Sequence, residues 1–506
     1  MVPAAVPSPA AARRSDAVDA VVVGSGPNGL AAAVTLARAG LEVELIEGQD
    51  TLGGGSRTLE LGLAAGISHD VCSAVHPMAL ASPFLRAFDL PARGVELLAP
   101  EASYAQPLDD EPAAIAWRDL ERTAQGLGAD ARTWHALFSP LVAQEDAIVD
   151  LSLGDKRSLP RELLAPGPMA AAARFAAALA VHGTPAWSLP WRTERARALL
   201  TGVGAHAIGP LPSLATSGVA LMLATLAHGG GWPIPRGGSQ AIADALIADL
   251  RAHGGRIRTG TTVTSREQLP PARAILLDTT AQAAAQILGT AVPSSLRRAL
   301  ARFPRGDAAA KVDFVLSGPV PWRDPEVALA GTQHLGGTRA QMAQAEAEVA
   351  RGRMPQRPMV LASDPATVDP GRQREGLRPL WAYAHVPYGS TQDPTEAVTA
   401  QIERFAPGFR DVVVAARGIP AAQMSRHDAN LVGGDISLGR ISLPRLVARP
   451  TASPDPYRLG DSGAYLCSSA VPPAPGVHGM NGWHAARRVL RQRFGIRRAP
   501  RLGPGA

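Results

Sequence analysis

At 506 residues, with 46% apolar residues and 51 Gly, the chain is too long for a single hydrophobic core and reads as two joined globular domains. The formal net charge of +6 is not a nucleic-acid signature: seven arginines fall between Arg487 and Arg501 with no acid among them, which leaves the rest near −1 (6 − 7), and no nucleic-acid motif accompanies them. The two cysteines, Cys72 and Cys467, form no C-x-x-C or C-x4-C pair, which excludes a dithiol redox centre and a cysteine-rich metal site and accords with a reducing cytoplasm.

Residues 1–17 are rich in Ala, Pro and Ser and are expected to be disordered. Arg13-Arg14 lead straight into a strand, not into an apolar segment, so they are not an export signal. Ala20 to Val23 is a short β-branched run that predicts a buried strand. Gly24, Gly26 and Gly29 follow as G-x-G-x-x-G, with Asn28 inside the turn. The first glycine allows a tight turn, the second lets backbone approach a pyrophosphate, and the third lets helix pack on strand. Leu30 to Ala39 is predicted helical and should stop at Gly40. Its N-terminus would aim unpaired amides at phosphate. Leu41 to Ile46 is a second strand, and Glu47 at its end offers a carboxylate to ribose hydroxyls, which favours an unphosphorylated ribose.

Gly53 and Gly54 stand six and seven residues beyond that acid. This spacing resembles the glycine-pair signature of the amine-oxidase and phytoene-desaturase flavoproteins. The resemblance implies FAD rather than NAD, with the loop running close to the diphosphate and ribityl and a nearby arginine holding phosphate. The family has Arg directly after the pair; here that position is Gly55, and Arg57 is the nearest arginine.

His69 and His76 lie in the stretch that leaves the nucleotide-binding unit, and without a third ligand beside them no metal is expected. Residues 95–120 read as short strands and 120–225 as mostly helical, with Gly202–Gly204 and Gly209–Pro212 read as loops around a cavity. Met169 to Val181 is apolar but too short to cross a bilayer; it reads as a buried helix, an interfacial one, or the lining of an apolar tunnel. From Trp232 the chain turns at Gly237-Gly238. It then enters a helix with Ile242, Leu246, Ile247 and Leu250 on one face, and reaches a strand carrying Val263. By resemblance, Val263 contacts the adenine. Ala272 to Thr280 is a further buried strand.

The segments DAAAKVDFVLSGPVPW and GTQHLGGT resemble the phytoene desaturase-like branch that includes proteins named for a pyridine nucleotide-disulfide oxidoreductase domain, and the resemblance runs from Asp19 to about Arg493. It implies an α/β fold of the two-domain glutathione-reductase/amine-oxidase type. A Rossmann-like FAD-binding domain would take residues 18–75, 228–290 and 440–495. A mixed α+β substrate domain would take 76–227 and 291–439, with 496–506 a disordered basic tail. Near the end, Ala464 to Cys467 predicts a strand, followed by a proline-rich loop and a helix starting near Gly476. Amides of Gly476, Val477, His478 and Met480 would face the pyrimidine end of the flavin, where a helix N-terminus stabilises negative charge.

One lysine stands out in a chain with 48 arginines (50 Lys+Arg less Lys156 and Lys311). Lys311 and Asp313 alternate with Val312, Phe314 and Leu316, so they share one strand face. They form either a solvent-facing pair or a catalytic group in which Lys311 faces the flavin. No Cys or His stands where a covalent link is expected, so FAD should be bound non-covalently. The resemblance implies hydride removal from, or isomerisation of, an apolar isoprenoid or polyene. The alternatives are a flavin amine oxidase, or a non-catalytic lipid- or prenyl-binding protein on the same fold. The expected location is cytoplasmic. The arginine-rich end is read as solvated, with contact to an anionic membrane surface as the alternative.

Overall fold

The computed structural model describes residues 17–155 and 160–505; residues 1–16, which make up almost all of the expected disordered N-terminus, and Lys156 lie outside the described residues. Five parallel strands form the first sheet, in the spatial order Ala464–Leu466, Ala272–Leu277, Val18–Val23, Val43–Ile46 and Arg256–Arg258. The inner strands are apolar on both faces, as a parallel strand covered on two sides must be. Helix Pro27–Arg38 touches both Gln240–Ala252 and Met480–Arg493, so segments more than 200 residues apart in sequence close one layer.

The second sheet has seven strands, in the order Val413–Ile419, Ala308–Leu316, Arg378–Val386, Val360–Ser363, Ala330–Leu335, Ala102–Gln106 and Ala114–Trp117. Only the pair Ala330–Leu335 with Ala102–Gln106 is parallel. Along Ala308–Leu316 the side chains divide by period 2. Val312, Phe314 and Leu316 pack with Val398, Ile402 and Phe405 of helix Thr395–Phe405. Ala309 joins Trp381, Tyr383 and Leu361 on the opposite face, covered by Ala198 and Ala205 of helix Glu194–Ala205.

Three sequence expectations are corrected here. Gly202 and Gly204 lie inside helix Glu194–Ala205, not in loops. A Cβ on Gly202 would stand 3.0 Å from His334 and overlap Gln106, so glycine is what lets this helix lie flat on the sheet. Val263 lies five residues beyond strand Arg256–Arg258, outside any strand or helix. The C-terminal stretch is docked rather than loose. Leu502 is 4% exposed in the core, Arg38 donates to the carbonyls of Arg501 and Gly503 at 3.1 Å, and Arg93 donates to that of Leu502 at 2.8 Å. Asp249 holds both of these arginines at 2.7 Å. Arg488 is likewise engaged, with Asp155 and Asp455. No helix among the described residues is long and apolar enough to cross a membrane.

A buried ion pair ties the hairpin of strands Thr58–Glu60 and Ser68–Asp70 to the turn Pro370–Arg372. Arg372 donates to Asp70 Oδ2 at 3.0 Å, with both side chains about fully buried. Asp70 Oδ1 accepts the Thr58 hydroxyl at 2.7 Å and the Ser239 amide at 2.8 Å. Burial pushes the Asp70 carboxyl up, but Arg372 and these hydrogen bonds outweigh it and hold it below its ordinary value. Removing one partner leaves the other as a buried unpaired charge, so Arg372→Ala should cost about 3–5 kcal/mol. Pairing it with Asp70→Asn should return part of that loss. Denaturant unfolding of the single and double variants reads both quantities, and a double variant no more stable than the single would contradict the pairing.

Candidate active site

The site is built outward from the first strand. Gly24 takes φ +98°, and a Cβ there would stand 2.7 Å from the Asp278 carbonyl oxygen. A Cβ on Gly26 would stand 2.7 Å from Asp278 Oδ2, and one on Gly29 would overlap the Gly24 carbonyl oxygen. Helix Pro27–Arg38 therefore starts, with Pro at its first position, directly against the strand it follows. Asp278, which sequence reading missed, ends the neighbouring strand, and its Oδ2 accepts the Gly29 amide at 2.9 Å. Asn28 is buried and its Oδ1 has no partner.

Glu47 stands at the end of the next strand. Its Oε2 accepts the Ser25 amide at 2.8 Å and the Ser25 hydroxyl at 2.6 Å, while Oε1 accepts the Gln49 amide at 2.9 Å. The Ser25 hydroxyl also accepts the Gly53 amide at 3.1 Å, so acid, glycine turn and glycine pair are tied into one unit. Val263 is buried nearby, where Thr261 donates to the Glu47 carbonyl at 2.9 Å.

Gly53 and Gly54 have φ of +118° and +54°, and a Cβ on Gly54 would stand 2.8 Å from Gly26 Cα. The Arg57 guanidinium donates to Gly54 O at 2.8 Å, to Thr51 Oγ1 at 3.0 Å and to the His427 carbonyl. In this structure Arg57 thus clamps the loop against the other domain. A Cβ on Gly55 would stand 3.2 Å from Cys72 Sγ, so the place where the family carries arginine is crowded by Cys72.

Lys311 is 2% and Asp313 0% exposed, and Nζ donates to Asp313 Oδ1. The solvent-facing reading of this pair is therefore removed. Around it lie His69, whose Nε2 is 3.1 Å from the Phe314 carbonyl, and Cys72 and His427, both within its field. Burial pushes the Cys72 thiol up to about 12, with Asp428 adding to the effect, and holds His427 down to about 4. His69 is lowered too, mainly by burial. His76 is engaged elsewhere, with its Nε2 2.7 Å from Ser239 Oγ. Asp313 Oδ2, His69 Nδ1 and His427 Nε2 are buried without partners. Register places Tyr383 beside Lys311 and Trp381 beside Asp313, with the two rings 5.2 Å apart at 73°.

The closing segment approaches from the C-terminus. Helix Met480–Arg493 begins four residues later than expected (480 − 476), because Gly479 at φ +67° ends the extended stretch before it. A Cβ on Gly479 would stand 2.7 Å from the Phe84 ring, and one on Gly482 would overlap the Asn28 carbonyl. His478 Nδ1 accepts the Met480 amide at 3.1 Å, and burial holds this imidazole down to about 4. The N–H groups of Gly476, Val477, His478 and Gly479 make no hydrogen bond among the described residues.

The family described as flavin containing amine oxidoreductase matches residues 28–314. The chain belongs to that family. It is similar to the rat pyridine nucleotide-disulfide oxidoreductase domain-containing protein 2, at 24% identity over 94% of this chain and 93% of that one. An uncharacterized protein of Mycobacterium tuberculosis is 26% identical over 95% and 98% of the two chains. Among solved structures, a putrescine oxidase double mutant gives a TM-score of 0.59 at 16% identity, covering 95% of this chain and 99% of that one. Cyclohexylamine oxidase from Brevibacterium oxydans gives 0.57 at 16%, covering 94% and 99%. At that identity the likeness shows the fold, which is that of the two-domain flavoproteins.

As a member of this family the protein is an FAD-dependent oxidoreductase. The residues present fit the cofactor. The glycine turn sets backbone close against backbone at the start of helix Pro27–Arg38, Glu47 closes the next strand beside it, and the closing segment has four amides without a partner among the described residues, an arrangement that a diphosphate and a ribose would suit. When bound, FAD supplies a two-electron acceptor for hydride.

Asp278 makes this site pH-sensitive. Burial, with Asp428 and Glu47 adding to it and the Gly29 amide opposing, raises its carboxyl to about 8. A carboxyl whose folded pKa is raised contributes stability that is full below its unfolded pKa of about 3.9 and is lost as pH rises through about 8. The stability of the wild type relative to Asp278→Asn should therefore fall steadily between pH 5 and about 8 and level off above it. Thermal unfolding of the two proteins across that range checks this; a constant difference would contradict it.

Proposed function

We propose that the protein binds FAD non-covalently and removes hydride from, or isomerises, a substrate with an apolar body, of the isoprenoid or polyene class. The observation that carries the reading is the buried Lys311–Asp313 pair, set on the inner sheet face against the glycine-pair loop. The same sheet face carries a buried apolar cluster that includes Ala309, Leu361, Met359 and Ile208, which supports a reaction set among hydrocarbon. Lys311 Nζ is held by Asp313 Oδ1, so its charge is neutralised locally and its protons are directed. FAD, when bound, would take the hydride; the chain's part is to orient the substrate, exclude water and receive the accompanying proton at Asp313 Oδ2, which is buried without a partner beside Lys311 Nζ.

A second reading, amine oxidation, rests on a specific observation. Asp313 Oδ2 is buried without a partner beside the Trp381–Tyr383 pair, a combination of carboxylate and aromatic faces that suits a cationic nitrogen. Anaerobic bleaching of the flavin separates the two: a long-chain polyene in detergent should reduce it, and a panel of mono- and diamines should not. Bleaching by the amines alone would move the assignment to amine oxidation.

Lys311→Met should leave FAD binding intact while slowing flavin reduction or reoxidation at least ~10-fold, a modest effect for a positioned acid–base group. Stopped-flow absorbance of the two half-reactions tests this, and unchanged rates in both would remove Lys311 from the mechanism.

A further inference from the structure

A small half-open cleft of about 20 Å³, with room for a few atoms, lies among helices Pro166–His182, Glu194–Ala205 and Leu214–His228. Helix Glu194–Ala205 divides it from the sheet. Ala198 and Ala205 of that helix pack into the cluster on the sheet's inner face, whereas Arg197, Leu200, Thr201 and Gly204, at helical spacing, line the cleft. The opposite walls come from His182, the turn Pro185–Ser188, helix Leu214–His228 and Arg339 at the start of helix Arg339–Ala350.

The polar groups lining this cleft are incompletely matched. Arg197 Nε, Arg339 Nη1, Ser217 Oγ and His182 Nδ1 are all buried, and none has a hydrogen-bond partner. An unmet buried polar group typically costs about 1–3 kcal/mol, so four around one cleft point to something that supplies acceptors. The charges point the same way. Two guanidiniums face the cleft, and the carboxylate beside them is Glu194. Its Oε1 is taken by the Arg339 backbone amide at 2.6 Å, and its Oε2 stands 3.8 Å from Arg197 Nη1. One negative charge against two positive leaves the cleft at +1. Burial lowers the Arg339 pKa, with Arg197 adding to the effect and Glu194 opposing it, as for a cation short of counter-charge.

The walls are flat and apolar. The Arg339 guanidinium lies 4.7 Å from the Trp187 ring centroid, and His182 stacks on Trp191 at 5.6 Å. Leu189, 81% exposed, and Val181, 36% exposed, sit next to these residues in sequence and carry the apolar surface outward.

We propose that this cleft binds an amphiphilic anion: a single carboxylate or phosphate-monoester head held by Arg197 and Arg339, with an apolar tail along Trp187 and Leu189. The planar fork of Arg339, placed over Trp187, suits both head groups, while Arg197, whose Nη2 donates to the Trp191 carbonyl at 2.7 Å, offers Nε. None of the residues lining the cleft belongs to the glycine turns, Glu47 or the Lys311–Asp313 pair, so the site stands whether or not the substrate reading above holds.

Isothermal titration of the FAD-loaded protein with decanoate, decyl phosphate, decanol and inorganic phosphate tests the proposal. Saturable binding is expected for decanoate, decyl phosphate or both, and the tighter of the two identifies the head group. Decanol and inorganic phosphate should each bind at least ~10-fold more weakly, because each lacks one half of the ligand. Arg339→Gln should weaken the amphiphile at least ~10-fold while the visible flavin spectrum stays unchanged. Ser217→Ala, a smaller change, should weaken it several-fold and keeps the test open if the arginine variant does not fold. The proposal is overturned if neither amphiphile binds saturably, if decanol or inorganic phosphate binds as tightly as they do, or if the folded variants bind like the wild type.

Discussion

Backbone meets backbone at two points on helix Pro27–Arg38, and the rest of the site depends on that closeness. On one side Gly29 lies so near the Gly24 carbonyl that no side chain fits; on the other, Gly482 lies as near to the Asn28 carbonyl. These contacts fix the first turn of the helix between the strand that precedes it and the helix that ends the fold. The amides at that turn are therefore aimed in one direction, which is what an anion site at a helix N-terminus requires. Because Gly482 belongs to the C-terminal helix, the same contact sets the position of the segment Gly476–Gly479.

Around this frame the interior carries more ionisable groups than stability alone would favour. Asp278, Asp428 and Glu47 converge on the glycine turns, Arg57 clamps the glycine-pair loop, and the Lys311–Asp313 pair closes the space from the second sheet. Buried charge of this kind is expensive unless paired, and its concentration at one junction between two domains marks a functional site rather than a structural one. The Asp70–Arg372 pair differs: Asp70 is met by Arg372, Thr58 and the Ser239 amide, and the pair ties the hairpin Thr58–Asp70 to the turn Pro370–Arg372.

Much of this was legible in the sequence because it rests on local rules. The glycine spacing, the helix it opens, Glu47 at the strand end and the alternation about Lys311 follow from short-range periods and from residues with few roles. What could not be read were contacts between distant segments. Asp278 looks like an ordinary acid after a strand until the topology sets that strand beside the glycine turn; an acid at the carboxyl end of a buried parallel strand was the available signal. The C-terminal arginines suggested a solvated tail, yet Arg488 finds Asp155 and Asp455, and the last residues are held by Arg38 and Arg93. Gly202 and Gly204 looked like helix breakers, but glycine is also the residue that lets a helix approach a sheet closely.

On the function proposed above, these glycine turns, Glu47 and the closing segment together hold one FAD without a covalent bond. The most direct measurement is the flavin content of the purified protein, read from visible absorbance before and after denaturation and filtration. The account predicts one FAD per chain, all of it released into the filtrate. A colourless protein that takes up no added FAD, or flavin that stays with the denatured chain, would contradict it.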